Sequence, residues 1–184
     1  MVRDTYHHGD LRRVLLAEAV RAIDEAGPAA LSLRDIARRA EVSHAAPTHH
    51  FGDKKGLLTA LAAEGFTGLA AALEASWERD GSRLELGVAY VRYAVEHRAH
   101  FEVMFHPDLC HATDRSLLTA RRRVTRALHL GASPDAAAAA NTEAGGLALW
   151  SAAHGLATLW NGGALTDHPA TPDDTARAVM SKLT

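Results

Sequence analysis

Apolar residues recur along this chain at the spacing of an α-helix. In the first predicted helix, over about residues 10–26, Leu16, Val20 and Ile23 share one face, and Gly27 followed by proline ends the segment. The same period predicts further helices at about 33–40, 44–50, 54–79, 84–95, 101–105, 114–130, 135–161 and 172–183. No run of alternating polar and apolar residues predicts a strand. The sequence therefore predicts an all-α fold of about nine helices.

Polar residues mark the starts of the second and third predicted helices. Ser32 with Asp35 three residues later has the form of a capping box, with aspartate in the usual place of glutamate. Ser43 is a suitable N-cap for the next helix, and Pro47 lies at the edge of its first turn, where it sacrifices at most one backbone hydrogen bond. Two short helices joined by a tight turn have the dimensions of a helix-turn-helix, whose second helix enters the major groove of DNA.

Composition and charge narrow the possible functions. The chain is 47% apolar but only 5% aromatic, which is typical of helices packed through small side chains. Its net charge of −2 argues against a generic polyanion binder, so contact with nucleic acid needs a local patch. Residues 33–55 supply one, with five Arg or Lys against three acids (5 − 3 = +2). Lys54 and Lys55 follow the predicted helix cap Asp53, where they would strengthen the attraction of a helix start for phosphate.

The spacing alone leaves a second interpretation open, because short capped helices with small residues also occur in the cores of many helical proteins.

Other features of the sequence indicate the cellular compartment. Cys110 is the single cysteine, so no disulfide can form within one chain. The N-terminus lacks the apolar segment of a signal peptide, and no apolar run approaches the ~18 residues of a membrane span. We expect a soluble, cytoplasmic protein that does not enter a membrane.

The stretch LSLRDIARRAEVSHAAPTHHFGDKKGLLTAL resembles the DNA-binding module of the tetracycline-repressor (TetR) family of bacterial regulators. The resemblance covers about residues 8–70 and implies a helix-turn-helix domain over 1–53, with its recognition helix at about 44–50. It also implies a helical ligand-binding and dimerisation domain over 54–184. The matching residues are Leu33, Ile36, Ala37, Ala40, Val42, Ser43, His50, Phe51, Lys54 and Leu57. The DNA-contacting candidates are Ser32, Arg34, Ser43, His44, Ala45, Thr48, His49 and Lys54.

Two residues depart from the pattern of the family. Glu41 stands where the family usually has glycine in the turn, and a non-glycine residue there costs about 1 kcal/mol if the position requires φ > 0. Thr48 stands where the recognition helix usually carries tyrosine, so a large ring that contacts phosphate or bases is missing. Both departures put the strength of DNA binding in question.

The C-terminal half contains candidates for an effector site and a dimer interface. Trp150, His154 and Gly155 resemble a Trp-x-x-x-His-Gly signature of one TetR subgroup. Trp150 and His154 are candidate ligand contacts, as are Trp77, Met104 and Phe105, although such residues also often pack in cores. A helix over about 135–161, with Ser133 and Pro134 marking its start, is apolar on more than one face. Together with a helix over 172–183 it would form a four-helix homodimer interface.

The sequence gives less support to a metal-binding site or a catalytic function. A cluster of metal-ligand types lies between residues 97 and 111, but its spacing matches no defined zinc pattern and Pro107 interrupts it. There is no glycine-rich phosphate loop, nucleophile elbow or convincing carboxylate pair, so the sequence predicts neither an enzyme nor a cofactor. The cluster consists of His97, His100, His106, Cys110 and His111.

The resemblance to the TetR family implies a homodimeric transcriptional repressor that binds a palindromic operator of double-stranded DNA. An unknown small-molecule effector would release it by favouring a conformation that no longer fits the operator. The alternative is a helical dimer that binds a small molecule or a metal without binding specific DNA. Glu41 and Thr48 would favour that alternative.

Overall fold

The computed structural model describes residues 8–130, 136–165 and 167–183. Within these ranges the chain forms nine α-helices and one short 3-10 helix, without a strand, so the predicted all-α fold is confirmed. The helices are α1 (His8–Ala30), α2 (Leu33–Arg39), α3 (Ala45–Phe51), α4 (Lys54–Asp80), α5 (Arg83–Glu96), α6 (Arg98–Met104), the 3-10 helix η1 (Pro107–Leu109), α7 (Arg115–Leu128), α8 (Ala136–Asn161) and α9 (Pro172–Met180). The predicted start of α8 at Ser133 and Pro134 lies outside the described residues.

The chain divides into two compact units. The first unit contains the residues up to Gly65 together with Ala99–Leu118, and the second contains Phe66–Arg98 together with the residues from Thr119 onward. Helices α4 and α7 therefore each begin in the first unit and end in the second.

In the first unit, α1, α2 and α3 pack against one another around a small apolar core. Leu15, Ala19 and Ile23 of α1 and Ile36 and Ala37 of α2 are buried there. Within α1 the regular helix ends as predicted, because Gly27 leaves the helical conformation (φ 74°, ψ 166°) and Pro28 follows it.

Local hydrogen bonds fix both ends of α2. Ser32 Oγ accepts from the Asp35 N–H (3.2 Å), which forms the predicted cap, while the Asp35 carboxylate accepts from Arg38 and Arg39. At the other end the Glu41 N–H donates to the Arg38 carbonyl, and the Val42 N–H donates to the Ala37 carbonyl. These two bonds form a Schellman motif, whose closing residue adopts a left-handed conformation. That residue is Glu41, with φ of 55°.

The predicted N-cap of α3 is wrong. The helix begins at Ala45, the residue before it is His44, and His44 makes no side-chain capping hydrogen bond. Ser43 contributes its backbone carbonyl instead, which accepts from the Ala46 N–H (3.0 Å). Pro47 explains the later start. With Ser43 as N-cap, the fourth helical residue would be proline, which lacks the N–H needed there, whereas the observed start places Pro47 third, where no bond is required.

Helix α4 has 27 residues and is about 40 Å long at 1.5 Å per residue. Asp53 caps it as predicted, since its Oδ1 accepts from the Gly56 N–H at 2.7 Å. Among the described residues, this helix alone is long and apolar enough to cross a membrane by length and composition. However, 56% of its most apolar window is buried inside the protein.

In the second unit, α5, α8 and α9 pack against one another. Gly87 of α5 leaves room for Met180 and Leu149, both of which a Cβ at this position would overlap. Two ion pairs hold α5 to α9 at its surface: Arg92 with Asp173, and Arg177 with Glu85.

We expect replacement of Glu41 by glycine to raise the free energy of unfolding by about 0.5–1 kcal/mol, because glycine adopts a left-handed conformation without the steric cost of a Cβ. Urea denaturation followed by circular dichroism measures this change. Glu41→Ala is the control, since it removes the charge but keeps the Cβ and should bring no comparable gain. Equal stabilisation by both variants would assign the effect to the charge and contradict a backbone cause.

Candidate nucleic-acid interface and effector residues

One face of α3 is exposed and the opposite face packs inward. Side chains three and four residues apart share a face of a helix, so the exposed residues form a continuous strip from the start of α3 to its middle. The exposed residues are His44, Ala45, Thr48 and His49. Those that are buried or half-buried are Ala46, Pro47, His50 and Phe51. All four residues of the strip are among the DNA-contacting candidates named from the sequence.

The remaining DNA-contacting candidates surround this helix. Ser32 and Arg34 are exposed at the start of α2, and Ser43 is exposed in the turn before α3. Lys54 is half-buried at the start of α4, and its Nζ donates to the Ala29 carbonyl at 2.8 Å. An ammonium group has three protons, so Lys54 keeps two for another acceptor.

Ion pairs reduce the positive charge that the sequence suggests for this region. Arg39 donates two hydrogen bonds to Glu25 of α1 (3.0 and 2.7 Å) and one to Asp35 (2.7 Å), and Arg38 also donates to Asp35. Hydrogen bonds from Arg38 and then Arg39 lower the pKa of Asp35. A hydrogen bond from Arg39 likewise lowers the pKa of Glu25. Of the five cations in 33–55, three therefore form no ion pair with a carboxylate among the described residues: Arg34, Lys54 and Lys55.

Trp150 and His154 of α8 meet at one buried hydroxyl of α5. The Trp150 Nε1–H donates to Tyr90 Oη (3.2 Å), and Oη lies 3.0 Å from His154 Nδ1. The Tyr90 hydroxyl thus connects the two candidate residues. Burial lowers the pKa of His154 and raises that of Tyr90. These contacts give both candidate residues a structural role at the α5–α8 contact.

The other effector candidates lie apart from this group. Met104 is fully buried in the first unit, where it packs against Gly65, and Phe105 packs against Phe101 with their ring centroids 5.2 Å apart. Trp77 is half-buried on α4 in the second unit.

Two clefts in the described part of the second unit are lined by residues other than the effector candidates. A cleft of about 360 Å³ is lined by Glu74, Arg123, Arg126, Ala127 and Leu130. A cleft of about 230 Å³ between α4 and α5 has Arg79, Arg92, Tyr93 and Glu96 among its polar or aromatic residues. None of the five effector candidates lines either cleft.

Three of the histidines in the 97–111 cluster have separate hydrogen-bond partners. His100 Nε2 lies 3.3 Å from Glu64 Oε1, His106 Nδ1 lies 2.5 Å from the Glu102 carbonyl, and His111 Nε2 lies 3.2 Å from Asp53 Oδ1. Nowhere in 8–130, 136–165 and 167–183 do three or more His, Cys, Asp or Glu residues come together as a metal site.

Two residues with clear structural roles were absent from the sequence candidates. Tyr90 connects Trp150 with His154, and Glu25 neutralises Arg39. The sequence does contain a signal for Tyr90, which lies four residues after Leu86 on the buried face of α5. A tyrosine in such a position needs a hydrogen-bond partner.

The lowered pKa of His154 predicts a loss of stability in acid. Below the ordinary histidine pKa of 6.5 the unfolded chain binds a proton at this position before the folded protein does. The free energy of unfolding should therefore be fully retained above about pH 6.5 and fall as the pH decreases from there towards the folded-state pKa. His154→Asn keeps an acceptor near the position of Nδ1 and cannot titrate, so this component of the pH dependence should disappear.

Urea denaturation at about pH 5, 6, 7 and 8, values that bracket the ordinary histidine pKa, measures this difference. The control is His129→Asn, which makes the same substitution at an exposed histidine just after α7. If wild type and His154→Asn lost stability in parallel in acid, the assignment to His154 would be wrong.

Comparison with known proteins agrees with this architecture. Residues 15–61 match the family model described as bacterial regulatory proteins of the tetR family. Residues 83–183, more than half of the chain, match the tetracyclin repressor-like C-terminal domain. The first match contains the helix-turn-helix, and the second begins with α5 and ends after α9.

Individual proteins show the same relationship. A structure from Rhodococcus sp. RHA1, described as a protein with unknown function, is 36% identical and covers 98% of this chain and 97% of its own, with a TM-score of 0.73. The TetR-family regulator PfmR from Thermus thermophilus is 24% identical over 92% and 96% of the two chains, with a TM-score of 0.70, and shares the fold.

Among relatives with an assigned role, the regulator BetI from Burkholderia thailandensis is 46% identical over 52 residues, or 28% of this chain. The match spans only about a quarter (27%) of the length of BetI. TetR-family proteins are regulators rather than enzymes, in agreement with the prediction that this chain is not an enzyme. The two domain matches and the full-length similarity show that the chain belongs to the TetR family of bacterial regulatory proteins.

Proposed function

We propose that this protein is a homodimeric transcriptional repressor that binds a palindromic operator and is released by a small-molecule effector. The observation that carries the proposal is the exposed strip of α3, where His44, Ala45, Thr48 and His49 face away from the helix-turn-helix core. A recognition helix must present such a face to the bases. We assign DNA binding to 1–53 and effector binding and dimerisation to 54–184.

Roles for the candidate residues follow from their exposure and chemistry. His44, Thr48 and His49 can form hydrogen bonds with base edges, and Ala45 allows close approach of the helix to the groove. The other candidates would bind phosphates and thereby fix the orientation of α3, as backbone contacts do in protein–DNA complexes. These phosphate-binding candidates are Ser32, Arg34, Ser43 and Lys54.

The geometry of a dimer would determine the operator. Two recognition helices about one turn apart, ~34 Å, read two half-sites of a palindrome. An effector that binds better to a conformation with another spacing shifts the population away from DNA. We place the effector site in the C-terminal domain, with Trp77, Met104, Phe105, Trp150 and His154 as candidates. We also propose that the chain belongs to the Trp-x-x-x-His-Gly subgroup, because Trp150, His154 and Gly155 have the spacing of its signature.

Exposed apolar residues support a dimer interface formed by α8 and α9. On α8, Leu147 and Leu159 are 57% and 50% exposed, and on α9 Val179 is 37% exposed. Gly155 lies between the two leucines in the sequence, and a Cβ at this position would meet no other described part of the chain within 4 Å, apart from its own helix backbone and its neighbours. Large exposed leucines beside an open glycine suit close contact with a helix of a second subunit, and they continue the two-faced apolar pattern of 135–161.

Salt dependence of DNA binding tests the proposed operator contacts. After selection of a binding site from random DNA, we expect Arg34→Ala to weaken binding and to reduce the slope of log K against log salt by about 2, since each lost phosphate contact removes about 0.9 and a dimer has two. His49→Ala should weaken binding with a smaller change in slope, because it removes a base contact. Fluorescence anisotropy at several salt concentrations measures both effects.

Arg122→Ala removes another exposed arginine, on α7, and provides the control. Its slope and affinity should match those of the wild type. The proposed DNA interface would be refuted if no specific sequence emerged from the selection. It would also be refuted if both Arg34→Ala and His49→Ala bound like the wild type.

Substitutions on α8 test the proposed dimer. Burial of a leucine contributes about 1.5–3 kcal/mol, so Leu147→Asp combined with Leu159→Asp should weaken dimerisation by at least about 10-fold. Sedimentation velocity measures the dissociation constant. Val14→Asp changes another exposed apolar residue, on α1, and should remain dimeric. A wild-type protein that is monomeric at micromolar concentration would contradict the proposal outright.

A further inference from the structure

The turn between the recognition helix and α4 is tightly constrained. Gly56, in the first turn of α4, has no room for a side chain, because the Phe51 carbonyl oxygen lies 1.9 Å from the position of a Cβ. The end of α3 therefore packs directly against the start of α4. Lys54, at the start of α4, also donates a hydrogen bond from its Nζ to the Ala29 carbonyl. If the first turn of α4 moves, α3 must therefore move with it.

His111, in the loop between η1 and α7, makes two hydrogen bonds to the start of α4. Its Nε2 lies 3.2 Å from Asp53 Oδ1, the same atom that accepts from the Gly56 N–H. Its backbone N–H donates to Thr59 Oγ1 at 2.8 Å, and the buried Thr59 hydroxyl donates to the Lys55 carbonyl at 2.6 Å. One residue thus contacts both the N-cap and the second turn of α4.

The same residue is also connected to the start of α7. The His111 carbonyl accepts from the Asp114 N–H (3.1 Å), and Asp114 Oδ1 caps α7 through the Leu117 N–H (2.9 Å). Helix α7 then continues into the second unit. His111 therefore lies between the caps of the two helices that belong to both units.

We infer that His111 is a positioning residue for DNA binding, which acts through Asp53 to hold the first turn of α4 and thereby the orientation of α3. The inference rests on the DNA-binding function proposed above. It assigns this function to a residue outside the helix-turn-helix, contributed by a loop 58 residues further along the sequence than Asp53.

Three substitutions separate the hydrogen bond from the rest of the side chain. Glutamine places an amide nitrogen near the position of histidine Nε2, whereas asparagine places its amide near Nδ1, too far from Asp53. We expect His111→Ala and His111→Asn to weaken operator binding by about 3- to 10-fold per protomer, and His111→Gln to bind like the wild type. His106→Ala is the matched control, because His106 is in the same segment but its ring bonds to the Glu102 carbonyl.

Amide hydrogen exchange gives a second measurement that needs no DNA. The Gly56 N–H, which donates to Asp53, should exchange faster in the alanine and asparagine variants, and glutamine should restore the exchange rate of the wild type. Exchange rates that are equal in all variants would overturn the inference, whatever the DNA result. Faster exchange without weaker operator binding would also overturn it, because His111 would then be only structural. Failure of the wild type to bind any DNA would instead refute the proposed function, and the exchange data would still decide whether His111 holds the start of α4.

Discussion

Helix α3 is too short to be stable by itself. Helices as short as its seven residues do not persist in water, and α3 also lacks a side-chain bond at its N-cap. Its conformation is therefore imposed by its surroundings: the packing of α1 and α2, the burial of Pro47, and the contact of Phe51 with Gly56. The Arg12 guanidinium lies 5.3 Å from the centre of the Phe51 ring and covers this residue, which is half-buried rather than fully in the core. Any base readout by α3 depends on these supports.

The ion pairs of α2 hold the helices of the helix-turn-helix together and reduce the positive charge of its surface. Arg39 bridges Glu25 and Asp35, so it connects α1 with α2. These pairs lie at the surface, where solvent screens ion pairs and their contribution to stability is small. Their larger effect is on the field that DNA would meet, since two of the five nearby cations are neutralised. Recognition by this protein must then depend more on the few remaining cations and on the polar groups of α3 than on a broad basic surface.

Sequence patterns predicted the features that depend on residues close in the chain. The end of α1 at Gly27, the cap of α2 at Ser32 and the cap of α4 at Asp53 each involve groups within about one turn, and all three are present. The prediction of Ser43 as the N-cap of α3 was wrong because residue type favours serine there, whereas Pro47 moves the start of the helix one residue later. Contacts between distant residues could not be read in the same way. Tyr90 with His154, Glu25 with Arg39, and Asp53 with His111 each depend on which faces two helices or loops present to each other, and periodicity does not identify the partner of a buried face.

The hydrogen bonds to Tyr90 change what an effector would encounter. Trp150 Nε1 and His154 Nδ1 are already used inside the protein, and Tyr90 is fully buried. A ligand that formed hydrogen bonds with these two atoms would have to break those to the buried Tyr90 hydroxyl, and the loss of each intramolecular hydrogen bond would cost about 0.5–1.5 kcal/mol. That cost would fall on the contact between α5 and α8. Ligand binding there would thus be coupled to helix packing, which is the kind of differential affinity that a population shift requires.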